Sequence, residues 1–252
     1  GAGVFVRSSA ISEDGIHHSS AGQYKTVENV MNENDFIQAI KQCWSSLYDD
    51  QSVLYRRDSG QKIDDEMAVL VVRAVDAQSA GVMFNSNPKT KEKGIYLEAV
   101  AGLGKSLVDV EVTPFKYCQT AGEKTSVAGN SLFEWRLNPK SGIEKFCYQS
   151  LQKFELTQPQ VTQLQQAMDQ ISKYCRESCG YDDVDIEFAF ERTTGILVIL
   201  QVRPKTAVAW QPPENIQGRV VVLDDPIRNP QELDKVKTGD IVVVEKTKPF
   251  ML

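Results

Sequence analysis

Residues 184–204, VDIEFAFERTTGILVILQVRP, decide the fold: two runs of alternating apolar residues flank a short polar turn, a pattern that predicts a β-hairpin. Because successive side chains on a strand point to opposite faces, Asp185 and Glu187 share one face of the first run. Gln201 and Arg203 share one face of the second run. If odd-numbered residues pair with odd-numbered residues, all four polar groups lie on one surface. The residues then expected to point into a core are Ile186, Phe188, Phe190, Val198, Leu200 and Val202.

This polar surface has the chemistry of a site for a magnesium ion and a phosphate chain. Two carboxylates and an amide oxygen, from Asp185, Glu187 and Gln201, supply the hard oxygen ligands that Mg²⁺ prefers. Arg203 offers a forked set of donors that matches a phosphate group. Taken alone, the hairpin also allows a simpler interpretation, in which its polar face is only solvated, because half-exposed strands routinely carry charges.

Composition is that of an ordinary globular chain. With 252 residues, 41% apolar and 25% charged, the sequence is long enough for one large or two modest domains. A net charge of −6 argues against general nucleic-acid binding. No apolar run is long enough to cross a bilayer and no leader peptide is visible, so we expect a cytoplasmic protein without a membrane partner. Five cysteines without a CxxC motif are expected to be reduced, small core residues: Cys43, Cys118, Cys147, Cys175 and Cys179.

Apolar spacing predicts two long helices and several strands. Asn34 is expected to cap a helix, and Thr157 to precede a second one that stops at Gly180. The nearly continuous apolar run 67–75 predicts a strand buried on both faces, whereas 116–146 predicts only irregular strands and turns. The first helix carries a stripe interpreted as core packing: Phe36, Ile37, Ile40, Cys43, Trp44, Leu47 and Tyr48.

A second motif lies at residues 6–23, VRSSAISEDGIHHSSAGQ. A short strand delivers Arg7, and a loop of small hydroxyl residues and glycine follows, which lets backbone amides approach a phosphate closely. A serine-rich surface loop is the alternative interpretation. The candidate phosphate-binding residues of this loop are Ser19, Ser20, Gly22 and Gln23.

Five motifs in a fixed order carry a resemblance to a known family. They are VRSSA…ED…SAGQ, CWSSLYDDQSVLYRR, MAVLVVRAV…SAGVMFNSNP, EAVAGLG and DIEFAF…ILQVRP. Between about residues 4 and 205, the chain resembles the ATP-grasp nucleotide-binding domain of phosphoenolpyruvate synthase, pyruvate phosphate dikinase and the rifampin phosphotransferases. The tail resembles the opening of the swivelling phosphohistidine domain that follows in these enzymes.

The resemblance implies an α+β fold of ATP-grasp type, with mixed or antiparallel sheets and packed helices, incomplete at its N-terminal side. It implies a partial nucleotide-binding domain over 1–205, a linker over 206–218, and the start of a phosphohistidine-type domain over 219–252. The implied partners are a nucleotide and the phosphohistidine and acceptor-binding domains of a longer parent chain.

The family's activity is then the expectation for the parent chain. With ATP and Mg²⁺ as cofactors, a histidine on the mobile domain is pyrophosphorylated and the phosphoryl group passes to pyruvate. An antibiotic acceptor, or a non-catalytic nucleotide-binding module, is the alternative. Since the chain contains neither the family's phosphate-binding lysine segment nor its phosphorylated histidine, we expect it to be inactive alone.

The resemblance also assigns roles residue by residue. Arg7 and Arg203 contact the phosphates as catalytic residues, and the segment from Arg73 to Val75 offers backbone groups to adenine. Glu187 and Gln201 bind magnesium, supported by Asp185. The residues of the loop named above fold over the triphosphate.

Several positions depart from the family pattern. Relatives commonly have glutamine where Arg73 stands, glutamate where Lys105 stands and glycine where Asp109 stands. These changes indicate a divergent branch, in which Arg73 alters the adenine pocket or points outward. Glu98 is a secondary candidate for the metal site, with a solvated strand residue as the alternative.

Overall fold

The computed structural model describes residues 3–11, 13, 24–58, 65–87, 90–109, 111–205, 218–223 and 230–244. Four predicted loop residues, Ser19, Ser20, Gly22 and Gln23, lie outside this range, as does the predicted linker apart from Gly218. The α-helices are α1 (Glu33–Ser46), α2 (Asp50–Asp58), α3 (Lys105–Val108) and α4 (Gln158–Tyr174). The strands are β1 (Val4–Ala10), β2 (Thr26–Val30), β3 (Met67–Arg73), β4 (Ala77–Ser86), β5 (Lys93–Ala101), β6 (Phe115–Gln119), β7 (Lys124–Val127), β8 (Gly129–Asn138), β9 (Gly142–Phe154), β10 (Val184–Glu191), β11 (Leu197–Pro204), β12 (Val220–Leu223) and β13 (Ile241–Val244).

A small antiparallel sheet, in the order β2-β1-β3, forms the first structural layer. Helix α1 packs on one of its faces, where Val6, Val30, Ala39 and Cys43 form a buried cluster. The opposite face of β1 carries Arg7. This small sheet therefore presents one packed face and one face available to a neighbour.

A larger antiparallel sheet, in the order β11-β10-β4-β5-β6-β7, forms the second layer. Helix α4 covers one face, where Met83, Leu97, Leu164, Ile186 and Phe188 belong to the main buried core. On the other face, the hairpin β8–β9 covers one end through a smaller apolar cluster. The described part of the chain is thus an α+β fold dominated by antiparallel sheets, with a separate parallel pair, β12 and β13.

Helix α1 differs from the sequence prediction in its cap and in its packed face. Asn32, not Asn34, is the N-cap, and its side chain accepts a hydrogen bond from the Asp35 amide at 2.9 Å. The expected stripe is only half buried, because a helix lying on one sheet face buries one side and leaves the flanking positions in solvent. Cys43 and Leu47 are buried and Phe36 and Ile40 are partly packed, whereas Ile37, Trp44 and Tyr48 are exposed.

Strand β3 lies at the edge of the small sheet, so the prediction of burial on both faces is wrong. Among the described strands it pairs with β1 only, and Leu70 and Val71 are exposed on opposite faces. Helix α4 agrees with the sequence prediction: Thr157 is its N-cap, and Gly180, with φ of 76°, ends the π-helical turn Cys175–Cys179 that continues it.

Candidate functional site

The hairpin β10–β11 places the four predicted polar groups on one face. Asp185 pairs with Arg203, and Glu187 pairs with Gln201, in the odd-to-odd register that the sequence suggested. Strand β10 also pairs with β4, so this hairpin is held in the large sheet rather than projecting from it. The prediction that the four groups share a surface is confirmed.

A β-bulge interrupts the hairpin directly after Glu187 and reverses part of the predicted alternation. Phe188 pairs with Ile199, which leaves Leu200 as the extra residue. Leu200 therefore packs in the smaller apolar cluster on the site face, and Val198 pairs with Ala189 of that cluster. The prediction that Val198 and Leu200 point into the main core is wrong, because one inserted residue exchanges the faces of the positions beyond it.

The carboxylates and the guanidinium on this face form a compact charged cluster. Arg203 Nε donates to Asp185 Oδ2 at 2.7 Å, and Arg203 Nη2 lies 3.9 Å from Glu187 Oε1. The other carboxylate oxygen, Asp185 Oδ1, is buried and has no hydrogen-bond partner. Leaving a buried carboxylate oxygen unpaired is costly, so this atom fits the ligand set of a cation.

Arg7 reaches this cluster from the small sheet. Its Nη2 atom donates to Gln201 Oε1 at 2.9 Å across 194 positions of sequence. Two guanidinium groups from different sheets therefore converge on the two carboxylates and the amide. The meeting of Arg7 with the hairpin is the feature that makes this face a candidate site rather than a solvated surface.

Glu98 lies on the same face but outside the cluster. Val82 of β4 lies between Glu98 of β5 and Glu187 of β10 in one cross-strand row. Glu98 and Glu187 are therefore two strand spacings apart, which is about 10 Å. The Glu98 carboxylate pairs instead with Lys116 Nζ at 2.8 Å, which favours the solvated interpretation. Among the described residues no group of three or more His, Cys, Asp or Glu side chains could hold a metal ion. The candidate ligand set is therefore two carboxylates and one amide oxygen, and Mg²⁺ commonly completes such a set with substrate phosphates and water.

Comparison with known proteins identifies the family of this chain. The family model described as pyruvate phosphate dikinase, AMP/ATP-binding domain, matches residues 2–220. The chain belongs to this family. The resemblance drawn from the ordered motifs is thereby confirmed.

Curated relatives show how much of a longer protein this dikinase-family chain matches. It is 30% identical over 285 residues to the probable phosphoenolpyruvate synthase of Pyrococcus abyssi, covering 99% of this chain and 33% of the relative. It is 30% identical over 286 residues to the phosphoenolpyruvate synthase of Pyrococcus furiosus, covering 99% of this chain and 34% of the relative. It is 27% identical over 250 residues to the prodigiosin synthesizing transferase PigC of Serratia marcescens, covering 96% and 27%. The chain thus spans about a third of the length of the synthases it matches.

Arg73, at the end of β3, belongs to the segment expected to contact adenine, and its side chain points into solvent. Arg73 is 73% exposed and its Nη2 lies 3.3 Å from Glu191 Oε1 of the hairpin. The Ala74 amide donates to Gly3 O at 2.9 Å, and backbone groups of successive strand residues point to opposite sides. The backbone groups of Arg73 therefore face the open edge of the small sheet, and Val75 packs in the smaller apolar cluster.

Two residues that depart from the family pattern, Lys105 and Asp109, form an ion pair in the structure. Lys105 Nζ pairs with Asp109 Oδ2 at 3.5 Å along α3, and it lies 5.8 Å from the centre of the Trp135 ring. Glu28 of β2 faces the same pair. Burial raises the pKa of Glu28, while the Lys105 charge opposes that shift and Asp109 adds to it.

Sequence reasoning missed the contact that joins the hairpin turn to the connection between the two sheets. The Arg192 amide donates to Asp76 O at 2.7 Å, and Arg192 Nη2 donates to Ala77 O at 2.8 Å. The same guanidinium lies 3.3 Å from Oε1 of the buried Glu134, which Arg136 also binds. Arg192 looks like an ordinary turn residue in the sequence, and only the fold brings Asp76, Ala77 and Glu134 to it.

Two cavities, of about 180 and 300 Å³, lie away from this cluster. The first lies between the end of β5 and the hairpin β8–β9, and the second lies under Val202 on the α4 side of the large sheet. The candidate site is therefore an open face between two sheets rather than either of these cavities. Within the described ranges, no helix is both long and apolar enough to cross a membrane.

Proposed function

We propose that this chain is the nucleotide-binding part of a larger phosphotransferase of the phosphoenolpyruvate synthase and pyruvate phosphate dikinase type. In the parent protein, Mg·ATP would transfer its pyrophosphoryl group to a histidine on a mobile domain and release AMP. The terminal phosphoryl group would then pass to water or inorganic phosphate, and the mobile domain would carry the remaining phosphoryl group to pyruvate. Family membership and the names of the Pyrococcus relatives support this function. The single structural observation that carries it is the contact of Arg7 with Gln201 beside Asp185 and Glu187.

The proposed fold is ATP-grasp, with the nucleotide between the small and the large sheet. The hydrogen bond from Arg7 in the small sheet to Gln201 in the large sheet supports this arrangement. The proposed division remains residues 1–205 for the nucleotide-binding domain, 206–218 for a linker and 219–252 for the start of the phosphohistidine-type domain. The parallel pair β12–β13 would belong to that last segment.

Within this site, each side chain has a proposed task. Asp185, Glu187 and Gln201 would hold Mg²⁺, which neutralises phosphate charge and orients the chain when bound. Arg203 would donate to phosphate oxygens in place of part of its present contact with the Asp185 carboxylate. Carboxylate and phosphate groups are both anions whose oxygens match the forked N–H donors of a guanidinium. Arg7 would approach the same phosphates from the opposite sheet.

The remaining proposed contacts concern the nucleotide's two ends. The segment Arg73 to Val75 would offer backbone groups to adenine, and the loop residues Ser19, Ser20, Gly22 and Gln23 would fold over the triphosphate. Exposure of the Arg73 backbone at the sheet edge supports the first assignment.

Calorimetry with Mg·ATP tests the metal role through a matched pair of variants. Glu187→Ala removes a proposed ligand, and we expect it to weaken Mg·ATP binding at least about 10-fold, or about 1.4 kcal/mol. Glu98→Ala removes a carboxylate from the same sheet face and cross-strand row, and we expect its affinity to stay within about twofold of the wild type. Equal affinities for Glu187→Ala and wild type would remove the proposed metal site.

A different phosphoryl acceptor is the second candidate. The similarity to a prodigiosin synthesizing transferase indicates that related chains occur in proteins with other products. A rifampin-type acceptor would use the same nucleotide half-reaction and the same residues. A non-catalytic module fits less well, because Asp185 Oδ1 is kept buried and unpaired without structural benefit.

A further inference from the structure

A pair of cysteines lies at the end of α4, on the opposite side of the large sheet from the nucleotide site. Cys175 and Cys179 are the first and last residues of the π-helical turn, which Gly180 then ends in a left-handed conformation. Residues four positions apart on a helix lie on one side, with Cβ atoms about 5–6 Å apart. Single π-turns within α-helices occur frequently at functional sites.

The hydroxyl group of Tyr181 lies next to both cysteines. Cys175 Sγ donates to Tyr181 Oη at 3.5 Å, and Cys179 lies close enough to this hydroxyl to raise its pKa. The Cys175 hydrogen bond, followed by burial, raises the pKa of Tyr181, so the hydroxyl stays protonated and neutral at physiological pH. Both thiols therefore face a common point instead of diverging.

The pair is also reachable from solvent. Cys179 is exposed, and the buried Cys175 lines the cavity of about 300 Å³ together with Ile171, Tyr174 and Val202. Val202 stands between Gln201 and Arg203 in β11, so an occupant of this cavity would lie on the back of the strand that carries those two side chains.

The distances favour a bridging atom over a direct disulfide. A disulfide needs Cβ atoms about 3.5–4.5 Å apart, which is closer than the helical spacing of about 5–6 Å. An inserted atom with two bonds to sulfur spans the wider gap without unwinding the turn. Soft thiolate ligands select thiophilic ions, and a tetrahedral zinc cage needs more ligands than these two thiols.

We propose that Cys175 and Cys179 form a dithiol site for thiophilic ions of the trivalent arsenic type. With an aryl arsenoxide, each thiol forms one arsenic–sulfur bond and the arsenic–oxygen bond breaks. The two thiol protons leave with that oxygen as one water molecule, so nothing is oxidised or reduced. The aryl ring lies in the cavity against Tyr174 and Val202.

Mass spectrometry of the folded, reduced full chain with phenylarsine oxide tests this site. We expect one adduct at equimolar reagent that survives excess 2-mercaptoethanol and is removed by 2,3-dimercaptopropanol, because only a dithiol chelates arsenic so firmly. Cys179→Ser alters an exposed side chain and should abolish the resistant adduct while the protein stays folded. Cys175→Ser should do the same.

An exposed cysteine outside the pair provides the control. Cys147 is exposed on the hairpin β8–β9, and Cys147→Ser should leave the resistant adduct unchanged. A wild-type chain without a resistant adduct would overturn the proposal. So would an adduct that persists in Cys179→Ser or one that Cys147→Ser removes. These results do not depend on nucleotide binding, so they are separable from any failure of the proposed function.

Discussion

At the scale of single residues, the β-bulge directly after Glu187 decides which side chains of the hairpin β10–β11 lie on the face of the candidate site. Alternation was enough to group Asp185 with Glu187, because both lie before the bulge. The same rule failed for Leu200, since nothing in an apolar run marks where an extra residue enters a strand. Two positions that depart from the family pattern, Lys105 and Asp109, form an ion pair with each other.

Glu28 next to that pair yields a pH-dependent prediction. Burial raises the pKa of this carboxyl group in the folded protein, so the folded state binds its proton more readily than the unfolded state. Its contribution is therefore favourable at low pH and is lost as pH rises through the folded pKa, leaving a buried charge at neutral pH. Glu28→Gln removes this penalty and should raise stability at pH 7.5 relative to the wild type.

Urea unfolding of both proteins at pH 7.5 and pH 5 measures this difference. The advantage of Glu28→Gln should shrink at pH 5, where the wild-type carboxyl is more protonated. Comparing the two proteins at each pH cancels the titration of the groups they share. An advantage that is constant or grows on acidification contradicts the assigned direction of the shift.

At the scale of elements, helices and the central hairpin follow from periodicity, whereas the long hairpin β8–β9 does not. Its strands carry charged and aromatic residues at mixed positions, and the sequence suggested only irregular structure there. Burial of Glu134 in this hairpin depends on Arg192 and Arg136, which arrive from a distant turn and from the same strand. Long-range ion pairs of this kind leave no periodic pattern.

Arg192→Met is expected to destabilise the protein by about 1–3 kcal/mol, because Ala77 O loses its donor and Glu134 keeps only one guanidinium. Urea unfolding gives the free energy. Arg176→Met is the matched control, since that arginine and its partner Asp182 are both largely exposed, and it should change stability by less than about 0.5 kcal/mol. Equal unfolding free energies for the two variants would show that the hairpin turn does not hold the connection between the sheets.

At the scale of the whole molecule, Arg7 and Arg73 are described residues that join the small sheet to the hairpin β10–β11 of the large sheet. Arg7 meets Gln201 at the candidate site, and Arg73 meets Glu191 at the far end of the same hairpin. The family was recognisable because its five motifs follow one another along the chain in a fixed order. The position of the small sheet relative to the large one could not be predicted from the sequence, because each contact joins residues more than 100 positions apart.

The two contacts differ in what they should contribute to nucleotide binding. Arg73 is largely exposed, and an ion pair of this kind contributes about 0–1 kcal/mol to stability. The proposed adenine contacts at this position come from the backbone, which Arg73→Gln leaves intact. We therefore expect Arg73→Gln to bind Mg·ATP within about threefold of the wild type. Arg7→Gln removes a proposed phosphate contact at the other end of the hairpin and should weaken binding by about 10-fold or more. Calorimetry on both variants separates the two roles: a loss of affinity confined to Arg73→Gln would mean that the side chain of Arg73, and not only its backbone, contacts the base.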